Sequence, residues 1–516
     1  MAINGVLLAL AALFCDLVGP ALMHAPAREC SGAPSYSCAR TDTNVTPLPS
    51  SLPFRAGPTG ANSQFVDASF NSQYPVRYTR VTGYYFGGRY GLINGGSFAV
   101  GSGSGDDAHF NADESIFTIT DQGSNWYFVG LNPRTIQTGL LYATAKASNL
   151  IWSLSNRNYA WMASNTWNGL YKMDFTGCHL GGRKCNPKET VLYNFDNCGL
   201  PVGTGFNANA GASYDDTVFA EVPIGPGGQD TGHYVVAYNK STATCFLYDT
   251  KAATITEYNS TYPSGHSLGS TTTTDSFTVH GAEIDPSGTW LVVSFNGSCY
   301  SGGCWAIRAW KIGTTTVNPC KYNSPTDAGS CQGHSTPTAS GWLNGDDYLT
   351  TRANPNMQFR TWENMSTTNS SNVTQLSTVN YDFGSLSYDD HPTTKNDPQG
   401  THRYPVFSSV YTSEAKVGAI TAAYSNEVIA WTQTPGPPLR FGHTFNSSVA
   451  GTALGANNTH FTDLYALGAV SPLGDFYLYT TDGEGTLGNI NGTTTCSVNG
   501  GTCRSDVFLM ALTPVP

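Results

Sequence analysis

Gly265-His266-Ser267-Leu268-Gly269 spells the G-x-S-x-G pattern, in which a serine nucleophile is forced into a strained turn between a strand and a helix. The flanks deny it that setting. Ser260-Thr261-Tyr262-Pro263-Ser264 is no buried strand, and Ser270 followed by four threonines is a poor helix start. The match reads as chance in a Gly/Ser-rich loop. The histidines carry more chemistry. His280, His334, His402 and His460 stand near the openings of successive apolar segments. Imidazoles converging from such positions hold a divalent metal or act as acid and base; the plainer reading is that they hydrogen-bond to backbone. Asp106-Asp107, Asp346-Asp347 and Asp389-Asp390 lack the spacing of a calcium loop and read as solvated turns. Trp126, Trp167 and Trp342 suit sugar stacking where exposed, although most tryptophans pack inside.

The elements that must position these residues are strands. A phrase recurs down the chain: apolar strand, Asp/Ser/Pro/Gly turn, apolar strand. It reads AEIDPSGTWLVVSF at 282–295 and GAVSPLGDFYLYTTD at 468–482, with looser copies FNADESIFTITDQ at 110–122 and ASYDDTVFAEV at 212–222. Spaced self-similarity of this kind means stacked supersecondary units. Past Met23 no apolar pattern of helical period stands out, whereas short Val/Ile/Tyr/Phe/Trp/Thr runs alternate with Gly/Asn/Asp/Ser punctuation, the mark of an all-β chain. Units are drawn at 79–135, 147–193, 206–258, 277–318, 334–378, 388–434 and 460–513. The expectation is an all-β, seven-bladed β-propeller with disulfide-stapled loops; six or eight blades, or a pair of β-sandwiches, are the alternatives. The domain reading is a signal-like hydrophobic segment at 1–24, an irregular lead-in at 25–77 and the propeller at 78–516.

Charged residues are 12% of the chain, about half the usual ~25%. The net charge is −11 with 25 Lys plus Arg and no basic run, which excludes a nucleic-acid footprint. Of the 13 cysteines, all but Cys15 fall into local couples: Cys30–Cys38, Cys178–Cys185, Cys198–Cys245, Cys299–Cys304, Cys320–Cys331 and Cys496–Cys503. Such couples read as disulfides and an oxidising compartment. Asn-x-Ser/Thr sequons at Asn44, Asn239, Asn259, Asn296, Asn364, Asn369, Asn372, Asn446, Asn457 and Asn491 agree with secretion, each a glycosylation site if the host modifies it. The apolar run from Val6 to Phe14, fading toward Met23, fits a secretory signal better than a membrane span. A retained apolar helix used for self-association is the minority reading.

The strand–turn–strand refrain resembles the TolB-like propeller repeat, in which Ser-Pro-Asp-Gly joins the inner strands of a blade. Here the turns are Ser471-Pro472-Leu473-Gly474 and Asp285-Pro286-Ser287-Gly288; proline presets φ at the second position and glycine frees a later one. RFGHTFNSS at 440–448, GAVSPLGDFYLYTTDGEGTLG at 468–488 and CRSDVFLMAL at 503–512 are similar to the end of large secreted, uncharacterised bacterial propellers of acidobacteria and soil relatives. That resemblance implies a fold and a compartment but no activity. A weaker one, to oligogalacturonate lyases, rests on Gln399-Gly400-Thr401-His402, which echoes their Gln-x-x-His-x-His; Tyr404 stands where the next histidine belongs. It implies a seven-bladed propeller with a manganese site. His280, His334, His402 and Gln399 would bind the metal, which neutralises a substrate carboxylate while a base removes the adjacent proton. Arg308, Arg352 or Arg403 would clamp a further carboxylate, with Trp342 beside the ligand.

Three functions follow. The preferred one is a secreted binding or surface-structural propeller for glycan or extracellular protein. The second is a metal-dependent polysaccharide lyase, its cofactor Mn, or Ca in the acidic corners. The third is a self-assembling extracellular array subunit.

Overall fold

The computed structural model describes residues 30–86, 98–100, 108–121, 125–164, 169–182, 185–200, 205–206, 211–224, 232–271, 278–296, 307–319, 335–339, 341–344, 358–362, 373–376, 388–389, 393–400, 405–412, 420, 423–432, 436–446, 467–489, 491–495 and 503–514. The segment read as signal-like, 1–24, lies outside them. No described helix is long and apolar enough to cross a membrane.

The described strands form antiparallel sheets, each built from neighbours in sequence. Sheet 1 runs from Phe98–Ala99 to Gln137–Thr144, and sheet 2 from Ala147–Trp152 to Lys188–Asn194. Sheet 3 runs from Gly211–Ala212 to His266–Ser270, and sheet 4 from Thr278–Ile284 to Val317–Pro319. Sheet 5 runs from Ser335–Thr338 to Val373–Gln375, and sheet 6 from Tyr388–Asp389 to Leu439–His443. Sheet 7 breaks the rule of locality. Its order is Gly468–Val470, Phe476–Thr481, Asp506–Ala511, then Val76–Arg80 and Ser63–Asp67 from the other end of the chain. A separate two-stranded ribbon pairs Gly205–Phe206 with Pro223–Ile224.

Each sheet buries a face against the next. Phe117 and Ile119 of sheet 1 pack on Leu478 and Leu509 of sheet 7. Phe128 of sheet 1 packs with Trp152 and Met162 of sheet 2. Trp161 and Leu170 of sheet 2 meet Phe219 and Val236 of sheet 3. Val235 and Tyr248 of sheet 3 meet Leu291 and Trp310 of sheet 4. Sheet 4 reaches sheet 5 through Trp290, which stacks on Trp362 with ring centroids 5.8 Å apart. Thr336 of sheet 5 shares a 2.9 Å hydrogen bond with Thr394, which leads into sheet 6. Phe407 and Val428 of sheet 6 pack on Tyr477 and Tyr479 of sheet 7. The contacts therefore run in a closed cycle, and the fold is a β-propeller.

The stretch expected to be an irregular lead-in, 25–77, does more than precede this ring. It contributes the strand Ser63–Asp67 and the first residues of Val76–Arg80 to sheet 7; the latter strand places Tyr78 opposite Met510 and Arg80 opposite Phe508. Arg40 adds an antiparallel bridge to Arg440, on the last strand of sheet 6. Alternation of short apolar runs could not reveal this, because the partners lie some four hundred residues away.

Buried charges hold the closure. Arg80 donates from Nε to Asp506 Oδ2 at 2.8 Å and from its other nitrogens to Arg55 O and Gly57 O, both at 2.7 Å. Arg504 pairs with the same Asp506, and Thr82 donates to it at 2.9 Å. Gly60 lies so close that a Cβ there would collide with the Arg80 guanidinium. In sheet 6 the Arg440 guanidinium makes paired bonds to Glu427 at 2.7 and 2.6 Å and reaches Asp42 O and Asn44 O at 2.9 Å. His443 lies between Asp67 Oδ2 at 2.9 Å and Thr46 O at 3.0 Å. Removing one partner of a buried pair strands the other charge, which costs about 3–5 kcal/mol. Asp506→Ala is therefore expected to lower the urea midpoint strongly, whereas Glu189→Ala, breaking the exposed Lys146–Glu189 pair, changes stability by less than about 1 kcal/mol. Equal melting of the two variants would contradict this account of closure.

The recurring phrase corresponds to one turn built four times. Asn111, Ser213, Asp285 and Ser471 each open a turn, and each side chain accepts from the amide five residues on, at 2.9, 3.0, 2.6 and 2.9 Å. Three residues after the opener the backbone is left-handed. Gly288 and Gly474 hold that place at φ 71° and 76°, but Glu114 and Asp216 hold it in the other two turns at φ 60° and 56°. A non-glycine residue there is uncommon and marks a local demand. Glu114 meets that demand by accepting from the Leu473 amide at 2.9 Å, joining the turn of sheet 1 to that of sheet 7. Burial pushes its carboxyl up from 4.5 to about 7, despite hydrogen bonds from Ser471 and the Leu473 and Asp475 amides. An acid raised on folding keeps its proton in the native state while the unfolded chain has lost it. Stability then falls as pH rises from about 4.5 to 7 and levels off above. Glu114→Gln should flatten that fall, melting with wild type at pH 4 and above it at pH 8; a variant that melts below wild type at pH 8 would refute this.

Candidate functional site

Sheet register brings a polar row to one face of sheet 2. Trp161 lies opposite Lys172, and Lys172 opposite Thr190. The row faces sheet 3, because Trp161 belongs to the core shared with that sheet while Met162 belongs to the core shared with sheet 1. Tyr159, two residues before Trp161, lies on the same side by strand alternation. Between this face and sheet 3 opens a cleft of about 430 Å³, lined also by Ser155, Asn156, Asp215, Asp216 and Lys240.

The charges are distributed unevenly. Asp216 is buried and takes bonds from Ser153 Oγ at 2.6 Å, Trp161 Nε1 at 2.8 Å and Ser155 Oγ at 3.2 Å. Burial raises its carboxyl above the ordinary aspartate range, more than those donors and the Lys240 charge lower it. Asp215 is exposed. Burial raises its carboxyl somewhat, but donors from Thr217 and Ser213 outweigh this and hold it below the usual value. Lys172 Nζ sits 4.4 Å from the Tyr159 ring centroid, and Lys240 Nζ sits 5.2 Å from that of Trp161. The cleft thus offers aromatic surface, two ammonium donors, the exposed Asp215 carboxylate as an acceptor and amide and hydroxyl groups, with the formal charges of its two lysines and two aspartates balanced. Such a set can grip a polyhydroxylated ligand by alternate donation and acceptance.

The disulfides brace this region. Cys178–Cys185 and Cys198–Cys245 have Cα atoms 5.0 and 5.6 Å apart, and Cys30–Cys38 staples the lead-in at 5.4 Å. Cys503 is also disulfide-bonded. Cys299, Cys304, Cys320, Cys331 and Cys496 lie outside the described residues. The three described bridges point to an oxidising compartment.

The residues singled out for chemistry do not assemble here. His334, His402, Arg352 and Arg403 lie outside the described residues, and His280 and Trp342 are described as strand backbone only. Gln399 is exposed and donates to Tyr214 Oη at 3.0 Å. Tyr214 belongs to the turn of sheet 3 and Gln399 to the loop leading into sheet 6, so that bond joins segments of non-neighbouring sheets. Among the described residues no group of three His, Cys, Asp or Glu is placed to hold a metal. Arg308 is fully buried in sheet 4, with Nη1 3.4 Å from Tyr248 Oη and its guanidinium 5.4 Å from the Phe295 ring centroid. Trp126 is likewise core, only 2% exposed. Of the sequons, Asn44 and Asn491 are exposed and Asn446 is fully buried. The G-x-S-x-G stretch is the edge strand of sheet 3, with Ser267 opposite Thr256. His109, which the sequence reading passed over, is buried without a hydrogen-bond partner for either ring nitrogen, and burial lowers its pKa to about 4.

Asp216 was missed too, although a signal existed. Aligned on the turn, Asp216 stands where two sister copies have glycine, and a residue accepting backbone strain marks a site worth attention. Asp216→Ala is expected to free the Trp161 indole and cost about 1–3 kcal/mol, read as a lower melting temperature with a shifted tryptophan emission. Unchanged emission would show that Asp216 does not position Trp161.

No family model and no curated protein matches the chain. Among solved structures it is similar to an oligogalacturonate lyase from Vibrio parahaemolyticus, at 11% identity and a TM-score of 0.48, covering 87% of this chain and 96% of that one. It is similar to an oligogalacturonate lyase in complex with manganese at 11% identity and TM-score 0.47, over 92% and 98% of the two chains. The C-terminal WD40 domain of Sif2 is similar at 10% identity and TM-score 0.41, over 80% and 96%.

Proposed function

We propose that this chain is a secreted, seven-bladed propeller that binds glycan in the cleft between sheets 2 and 3. The observation carrying the reading is the composition of that cleft: the Tyr159 ring, the Lys172 and Lys240 ammonium groups and the Asp215–Asp216 pair around one space of about 430 Å³. A sugar presents hydroxyls that both donate and accept, and a C–H face that packs on an aromatic ring. A charge-balanced cleft favours such a ligand over phosphate, which Asp215 would repel. The closed ring and the disulfides keep the walls in place, so little ordering cost falls on binding.

Titration of the purified protein against β-glucan, xylan, mannan, pectate and alginate oligomers tests this. At least one should bind, and Tyr159→Ala and Lys172→Ala should each weaken it about tenfold, equivalent to about 1.4 kcal/mol. Lys251→Ala, on a distant exposed turn, should leave it unchanged. No binding by any oligomer, or equal binding by all variants, would overturn the cleft as the site. A bound divalent metal together with an ultraviolet-absorbing, unsaturated product from pectate would reassign the protein to a lyase.

A further inference from the structure

A second cleft, of about 270 Å³, lies beyond the hairpin that carries Lys240. It is lined by Tyr193, Asn197, Ala243, Asn259, Ser260 and Pro263. Three turns converge on it: the 3-10 turn Phe195–Cys198, the hairpin at Ala243, and the turn after Thr254–Tyr258. Its walls are fixed. Cys198–Cys245 ties the first turn to the neighbouring strand, and the Tyr193 ring stacks on Tyr238 with centroids 3.8 Å apart.

Asn259 opens the sequon Asn259-Ser260-Thr261 and forms part of that lining. Its side chain is oriented by its own turn. Oδ1 accepts from the Thr261 and Tyr262 amides, both at 2.9 Å, and Nδ2 donates one hydrogen to Glu257 Oε1 at 2.7 Å. The second Nδ2 hydrogen is left over, and Ser260 and Tyr262 are exposed beside it. We propose that Asn259 carries an N-linked glycan whose first N-acetylhexosamine packs into this cleft against Tyr193 and Pro263. The donor is a lipid-linked oligosaccharide pyrophosphate, used by the transferase of a glycosylating host. A bond forms from Nδ2 to the anomeric carbon, the anomeric carbon–oxygen bond to pyrophosphate breaks, the lipid pyrophosphate leaves, and the amide gives up one proton. The remaining Nδ2 hydrogen keeps its bond to Glu257. The sugar then bridges the last strand of sheet 2 and the outer hairpin of sheet 3 as a noncovalent strut.

The full chain is secreted from yeast, trimmed with an endoglycosidase that leaves one N-acetylhexosamine, and compared with the same chain from a bacterial host that adds no N-glycan. Peptide mass mapping should find the hexosamine on Asn259. Thr261→Ala, which destroys the acceptor motif but keeps Asn259, should melt about 2 °C below trimmed wild type when made in yeast. It should melt with wild type when made in bacteria. Thr261→Ser keeps the motif and should restore both the modification and the yeast melting temperature. An unmodified Asn259 peptide overturns the proposal. So does a modified one whose removal by Thr261→Ala leaves the yeast melting temperature unchanged, because the sugar then rests on nothing.

Discussion

A ring of sheets is stable only if its last interface forms, and here that interface is a strand pairing between chain ends. Val76–Arg80 lies against Asp506–Ala511, and among the described residues each of the larger sheets has two neighbours. An open array would expose two apolar faces at once. The closure also sets the position of the lead-in, because a chain that must deliver its early strands to sheet 7 crosses sheet 6 on the way. There Arg40 and Arg440 exchange backbone bonds.

Arginines are hard to bury, yet Arg80, Arg440 and Arg504 are fully enclosed at this seam. Each is tolerable because a carboxylate and at least one main-chain carbonyl accept from it. The carbonyls come from the irregular segments: Arg55, Gly57 and Pro58 for Arg80 and Arg504, Asp42 and Asn44 for Arg440. Lead-in and ring are therefore mutually dependent. The segment is held as well by Tyr36, Phe54, Phe65 and Phe70, which are buried in the core it shares with sheets 6 and 7. Wrong registers are penalised heavily, since a shift of one residue would strand a charge in an apolar seam.

The turns joining the first two strands of four sheets show how repetition and function part company. Glycine suits the left-handed position and asks for nothing further. Glu114 and Asp216 take the same strained backbone and use their carboxylates to reach a neighbouring sheet. In Asp216 that reach helps shape a cleft, because the indole it holds is part of the cleft wall. The candidate site thus arises where a repeat departs from its own pattern and the departure is compensated by contacts with the adjacent sheet.

Strand content, the repeat and its turn chemistry were written in the residues, since alternation, β-branched runs and Ser/Asp/Pro/Gly turns are local properties. The couples Cys30–Cys38, Cys178–Cys185 and Cys198–Cys245 were legible for the same reason. Spacing alone could not say that Arg308 faces core aromatics, that Trp126 is interior, or that Gln399 bonds to Tyr214. Those are decided by which faces meet once the circle closes. The row Trp161–Lys172–Thr190 is the clearest case: three unremarkable residues on three strands become one surface through hydrogen-bond register. Local chemistry in the sequence by itself determined the modules. The tertiary structure alone decided the seam and the cleft, because both depend on contacts between residues far apart along the chain, which no local pattern encodes.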